Sequence, residues 1–269
     1  MIVQSNDSLM KAIVSQSISS DIQITNDFLQ VIQYLYRHAV FKNILDIVVT
    51  KCTTGQLTFK VQNMKLFDFD AGNCLTMVDD LGYADAKRKK YIITIKKVAS
   101  DVIMHEIGHM LEQELDHVIN LKDFASTLMY EIYNIGGKQL HMKSIVESLF
   151  VEQVKSYPSS QHFSELFARF FQFFAGANEL SFQSSLGARY TLQNAISTFP
   201  RTLEFLDSKL ADSWKTLIDP KIAAESEKYS QTSFNSNINW ADKRVKPSNI
   251  GTITSSRWKV KSNKEDPFQ

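Results

Sequence analysis

The residues best suited to chemistry in this chain lie within five positions, His105-Glu106-Ile107-Gly108-His109. On an α-helix, residues i and i+4 sit about 40° apart on one face, one turn above the other. Two imidazoles in that relation can offer ring nitrogens to one divalent cation. Zinc accepts imidazole nitrogen, and its catalytic sites use three protein ligands and one open position. Glu106 lies beside the first histidine and points near that open position. A carboxylate there can take a proton from water and pass it to a leaving amine. The spacing therefore predicts one Zn2+ ion on His105 and His109, with Glu106 as general base. The competing reading is a solvated helix face that carries two histidines by chance.

The flanking residues favour the first reading. Ser100 or Asp101 is expected to cap the helix. Ile103, Ile107, Met110, Leu111, Leu115 and Val118 recur at helical spacing and centre roughly opposite the histidines. One face packs while the other holds ligands, as a helix lining a cleft requires. Gly108 costs roughly 1 kcal/mol relative to Ala inside a helix. Close approach of another backbone beneath the site would account for it.

Two histidines need a third partner. His117 lies 12 residues after His105, but the extended HExxHxxGxxH motif needs His at +10, where Leu115 stands, and Gly where Glu112 stands. A metzincin reading fails. Asp116 fits an outer carboxylate or a solvated one, and Glu112 either orients His109 or faces solvent. Later glutamates are Glu131, Glu147, Glu152 and Glu165, with His162 a weaker candidate. Glu165 lies opposite a stripe of Phe163, Leu166, Phe167, Phe170, Phe171 and Phe174, which reads as core. By pattern alone its alternative is a solvated face, and the choice among these carboxylates stays open.

Several elements must position these groups. A helix is expected over 26–42, with Asn26 or Asp27 as cap, then β-like runs at Ile44–Thr50 and Gln56–Val61 around Thr54-Gly55. A short strand is expected near Leu75–Val78, and the firmest strand signal is Tyr91–Ile95, the best candidate for an edge strand that pairs with a substrate backbone. Lys87-Arg88-Lys89-Lys90 reads as a solvated turn before that strand. Expected helices follow at 101–119, 121–134, 142–155, 160–175, 191–206 and 207–218. From about 222 the chain is Ser/Asn/Lys-rich and aperiodic, with Trp240 and Trp258 as isolated apolar points, so an extended or partly disordered tail is expected. The expected divisions are an N-terminal segment 1–25, an α+β lobe 26–120, a helical lobe 121–221 and a tail 222–269. The fold class is α+β: a small mixed-sheet lobe with the HExxH helix, then a mainly helical lobe, with a cleft between.

At these motifs the chain resembles the gluzincin zinc peptidases, in which the third ligand is a Glu on a helix after HExxH. Tyr157, followed by Ser164-Glu165-Leu166-Phe167-Ala168-Arg169, is similar to the Tyr-x(n)-Glu-Phe-Phe-Ala pattern of anthrax lethal factor-like peptidases. It is equally similar to the Glu-x-Phe-Ala-Arg segment of zincin-like domains in large polyvalent proteins of phages and mobile elements. The match spans roughly residues 90–175. The resemblance implies a zincin-like fold, zinc on His105, His109 and Glu165, Glu106 as base, and Tyr157 as hydroxyl donor to the oxyanion. Tyr157 and Glu165 are one residue further apart than in the lethal factor-like pattern. Tyr190 and His141 are alternatives for the donor.

Composition bounds the partners. With 30 Lys and Arg against 29 Asp and Glu, net charge is +1, and no strong field draws the chain to nucleic acid or an anionic membrane. Cys52 and Cys74 are too few for a disulfide framework and fit reduced thiols. No apolar run reaches the ~18 residues of a membrane span, and the N-terminus does not read as a signal peptide. The expectation is a monomeric metalloprotease, cytoplasmic in the producing cell, that hydrolyses a protein. Its resemblance to toxin-type peptidases points to an effector carried into a host cell by a signal-peptide-independent route and acting on a host protein. Alternatives are a mobile-element or housekeeping zincin, or a non-catalytic zincin-fold binding module.

Overall fold

A computed structural model describes residues 8–18, 21–62, 71–80, 87–178, 180–182 and 184–230. The architecture is mixed α and β, mostly helical, with one small mixed sheet. Three helices open the chain: α1 (Ser8–Ser15), α2 (Ile22–Tyr36) and α3 (Ala39–Thr53). Helix α2 starts four residues before the expected Asn26, because the Asp21 carboxylate accepts from the Gln23 and Ile24 amides. Helix α3 corrects the strand expected at Ile44–Thr50. Ile44, Leu45, Ile47, Val48 and Val49 are all buried. A helix enclosed on nearly every side shows the same β-branched apolar run as an interior strand. Asp46, inside that run, meets Lys42 at 3.0 Å one helical turn earlier and accepts from the Tyr36 hydroxyl at 3.3 Å. Gly55, with φ of 67°, then turns the chain into the sheet.

The sheet contains β1 (Ser17–Ile18), β2 (Leu57–Val61), β3 (Gly72–Asp80) and β4 (Lys87–Ile95), in the order β1-β2-β4-β3. Strands β1, β2 and β4 are parallel, whereas β3 runs antiparallel to β4 from Gly72↔Ile95 to Asp80↔Lys87. Lys87–Lys90 is therefore strand rather than turn. Its register sets Lys87 through Lys90 against Asp80 through Met77 of β3. Tyr91–Ile95, expected as an edge, is interior. Among the described residues β3 forms the edge beside it and β1 the opposite edge.

Helix α4 (Ser100–Glu114) carries the HExxH motif and follows β4 through a four-residue link. Ser100 and Asp101 do not cap it. Asp101 instead accepts from the amides of Ser185 and Leu186, at 2.9 and 3.1 Å, and Ser100 Oγ donates to the Ala175 carbonyl. Both side chains tie the start of α4 to the later helical half. There, α5 (Leu121–Tyr133) and α7 (His162–Ala175) agree with expectation, with Asn120 capping α5.

The expected helix 142–155 is interrupted. It runs as a 3₁₀ turn Gly137–Met142, α6 (Lys143–Glu147), a π-turn Ser148–Glu152 and a 3₁₀ turn Val154–Ser156. The expected helices at 191–206 and 207–218 are three: α8 (Leu192–Thr198), α9 (Pro200–Leu210) and α10 (Ser213–Leu217). Pro200 forces the first break and then sits in the first turn of α9, where its missing N–H costs nothing. Residues 222–230, expected as extended tail, belong to α11 (Pro220–Ser230), whose Ile222 and Ser226 are buried. Trp240 and Trp258 lie outside the described residues, as do residues 1–7 of the N-terminal segment.

The buried side chains form one continuous hydrophobic core. Its densest part is aromatic. Phe124, Phe150, Phe167, Phe170, Phe173, Phe174 and Phe199 pack in edge-on and tilted pairs, with Phe124 and Phe167 centroids 5.0 Å apart. The Phe stripe of α7 is thus core, as its spacing predicts, and its opposite face is free to serve a site.

Candidate metal centre

Helices α4 and α7 pack closely against each other at Gly108. A Cβ at that position would lie 2.8 Å from the Ala168 Cα. Close approach of a second backbone is the reason Gly stands there. The contact brings the histidine face of α4 against the Glu165 face of α7. His105 Nε2 is 3.7 Å from Glu165 Oε2, and His109 Nε2 is 3.4 Å from Glu165 Oε1. The three ligand atoms lie within 4.8 Å of one another. The two imidazoles stand almost perpendicular, at 88°.

Outer contacts orient His109. Its Nδ1 is 3.2 Å from the Ser164 hydroxyl and 3.6 Å from Glu112 Oε2, and Ser164 donates to the same carboxylate. Glu112 therefore takes the orienting role rather than the surface one. Ser164 was not legible in the sequence, since its role depends on which helix faces α4. Burial alone would depress the His109 pKa. Hydrogen bonds with Glu112 and Glu165, and the charges of Glu165 and Glu106, outweigh it and hold the ring at about 9. His105 goes the other way: burial first, then the charges of His109 and Arg169, hold it well below its ordinary value.

This donor set suits a zinc ion. Two imidazole nitrogens and a carboxylate converge, and Glu165 Oε2 is buried without a hydrogen bond. A proton on His109 does electrostatically what a cation would do more fully. Both answer the carboxylates that face the ring.

Glu106 is buried under β3. A Cβ at Gly72 would fall 2.7 Å from Glu106 Oε1, so glycine lets the strand pass over the carboxylate where it stands. The two elements form one wall of a cavity of about 680 Å³. Gly72, Cys74 and Thr76 of β3 line it, together with His105, Glu106 and His109, and Gln153, Tyr157, Glu165 and Arg169 stand across from them. Burial and the nearby carboxylates of Glu106 and Glu112 push the Cys74 thiol up to about 12.

Tyr157 shares this cavity, half-buried, with the Arg169 guanidinium 5.6 Å from its ring centroid. Neither alternative donor does. Tyr190 is buried behind α7, stacked on Phe173 at 4.6 Å and donating to the Phe173 carbonyl. His141 is exposed in the 137–142 turn and is not among the cavity's lining residues.

The other ligand candidates are accounted for. Glu131 accepts from the Arg201 and Thr202 amides and the Thr202 hydroxyl, and so caps α9. Asp116 meets Lys89 at 2.9 Å. Glu147 pairs with Lys143, and Glu152 is exposed. The His162 ring meets the Tyr157 carbonyl through Nε2 at 2.9 Å.

Comparison with known proteins gives no match: no family model, no curated protein and no solved structure aligns with the chain.

Proposed function

We propose that this chain is a zinc-dependent endopeptidase of the zincin type. The observation that carries the reading is the meeting of His105, His109 and Glu165 around one point, with Glu106 on the same helix face beneath an outer strand. The mixed sheet packed beside the HExxH helix supports the expected small mixed-sheet lobe of a zincin-like fold. In this reading His105, His109 and Glu165 hold the ion. When bound, zinc polarises a carbonyl and brings the pKa of water towards ~7. Glu106 takes the proton of the attacking water and delivers it to the leaving amine. The Tyr157 hydroxyl donates to the carbonyl oxygen as negative charge builds on it. Strand β3 offers its open edge to the substrate backbone, in place of Tyr91–Ile95.

The substrate in this reading is a protein, and an effector acting on a host protein is the setting the motif resemblance favours. No helix among the described residues is long and apolar enough to cross a membrane.

The test is metal content and turnover together. Wild type should bind one zinc per chain, and H105A and E165A should lose it. E106Q should keep the metal and lose about 10²–10⁴-fold in turnover, the span of a general base. Comparing the proteomes of cells that express wild type or E106A should show cleaved proteins in the first only. Equal cleavage by both would exclude Glu106 as the base.

A further inference from the structure

Arg169 is almost fully buried, yet it reaches the cavity wall. Burying a guanidinium is costly unless it is paired and hydrogen-bonded. It therefore needs a reason beyond packing, and three contacts supply one. Its Nε is 3.6 Å from Glu165 Oε2, one helical turn earlier on α7. Its terminal nitrogen donates to Gln153 Oε1 at 2.7 Å. Its carbon centre lies over the Tyr157 ring. One side chain thus touches the carboxylate ligand, the aromatic wall of the cleft and the segment that leads into that wall.

That segment has an unusual backbone. Residues 148–152 form a π-turn, and the Gln153 amide donates to the Ser148 carbonyl five residues back at 3.0 Å. Such bulges break helical phase and occur frequently at functional sites. Here the bulge delivers Gln153 to Arg169, and a 3₁₀ turn then sets Tyr157 in extended backbone. From the other side, His162 at the start of α7 engages the Tyr157 carbonyl. Tyr157 is held at its ring by Arg169 and at its backbone by His162, and both holders belong to the helix that carries Glu165.

We propose that Arg169 is a positioning residue that couples the metal ligand Glu165 to Tyr157, with Gln153 as the anchor that fixes its planar head. Occupation of the metal site draws Glu165 towards the ion, moves the guanidinium paired with it, and so sets the phenol against the cleft. The proposal rests on the peptidase reading only for its kinetic consequence. The coupling itself is readable without any substrate.

Lysine cannot replace this group, because it lacks the planar face that lies over Tyr157 and the fork that spans Glu165 and Gln153.

The experiment labels the full chain with 3-fluorotyrosine and assigns the Tyr157 resonance by its loss in Y157F. Zn2+ alone is then titrated into wild type, R169M, R169K and Q153A. Gln153 is exposed, so Q153A tests the anchor without disturbing the core. Zinc should displace the Tyr157 resonance in wild type. Most of that displacement should vanish in R169M and R169K and shrink in Q153A, at unchanged stoichiometry of one zinc. Equal displacement in wild type and the variants would overturn the coupling.

A kinetic arm follows on a general protein substrate. Y157F should lower kcat by about 10²–10³-fold, the cost of losing an oxyanion donor, and R169M by about 10–100-fold, the cost of losing the residue that positions it. Their double variant should fall no further than Y157F, with KM held within about threefold. Strict additivity would mean independent action and would overturn the proposal. A wild type that binds zinc and shifts Tyr157 but cleaves nothing would sink the peptidase reading and leave the coupling standing.

Discussion

With zinc in the proposed site, a proton and the ion would compete for the same nitrogen of His109. Its Nδ1 faces Ser164 and Glu112, so the second proton of the imidazolium lies on Nε2, towards Glu165. The folded, metal-free ring titrates at about 9 against an ordinary 6.5. A raised histidine contributes stability that is fully present below the unfolded value and is lost as pH rises through the folded one. The metal-free protein should therefore lose Tm from pH 6.5 to 9. Zinc needs the ring unprotonated on that nitrogen, so the Tm gain on adding zinc should grow over the same window. Thermal melts with chelator and with zinc at pH 6, 7.5 and 9 check this, and a pH-independent gain would contradict it.

His105, Glu106 and His109 were legible because a five-residue spacing on one helix fixes their relation before any tertiary structure is known. Glu165 was half-legible, since its aromatic stripe shows only which face it leaves. Arg169 stands in the Glu-x-Phe-Ala-Arg segment with no role attached to it, and Ser164 and Gln153 carry no signal of their own. Their roles exist only once α7 and the 148–157 segment are seen to close on α4.

At the scale of elements, Gly108 sets the distance between the helix of His105 and His109 and the helix of Glu165. In an uncrowded helix, Gly→Ala gains roughly 1 kcal/mol of propensity. Here the new methyl would press on the Ala168 backbone, and overpacking of a fixed interface costs typically about 1–3 kcal/mol. G108A should be a net loss of up to roughly 2 kcal/mol and should bind zinc more weakly, because α7 can only yield by carrying Glu165 away. Denaturant melts and chelator competition read both effects, and a stabilised G108A with unchanged affinity would refute the contact.

Glu131 shows a different use of an acid. Helix α9 has no cap from its own chain neighbour, and the Glu131 carboxylate reaches over from α5 to serve its first amides. E131A should lose about 1–3 kcal/mol, the cost of leaving such donors unpaired, with zinc content unchanged. A loss of zinc in that variant would return Glu131 to the list of ligands. Pattern alone could not separate this glutamate from Glu165, since both read as single acids on amphipathic helices. Helix α3 was misread for a related reason. Apolar runs report burial, and only length and neighbours tell strand from enclosed helix.

For the molecule as a whole, the decisive relation is between the sheet and the metal helix. Strands β2 and β4 bury Leu57, Phe59, Ile93 and Ile95 in the common core. The sheet's position over α4 is therefore fixed by packing far from the cleft. Strand β3 hangs on β4 and crosses Glu106 at Gly72. Its outward residues Leu75 and Met77 are about half exposed, at 51% and 40%, so its hold on the fold is β4 pairing and the inner face alone. A methyl at position 72 has two ways to be accommodated: β3 lifts, or the Glu106 carboxylate turns aside. Lifting would strain the long β3–β4 pairing, whereas the Glu106 side chain, whose Cγ would lie 2.8 Å and Cδ 3.0 Å from the new methyl, can swing aside about its own torsions. G72A should therefore leave the sheet, the Tm and the zinc stoichiometry close to wild type while displacing the base. Turnover should fall by at least about tenfold, approaching the general-base span removed in E106Q, and KM should change little. Zinc analysis, circular dichroism and kinetics on one preparation separate the outcomes. G72A with wild-type turnover would mean that β3 does not lie on Glu106, and the cleft drawn between sheet and helix would have to be placed elsewhere.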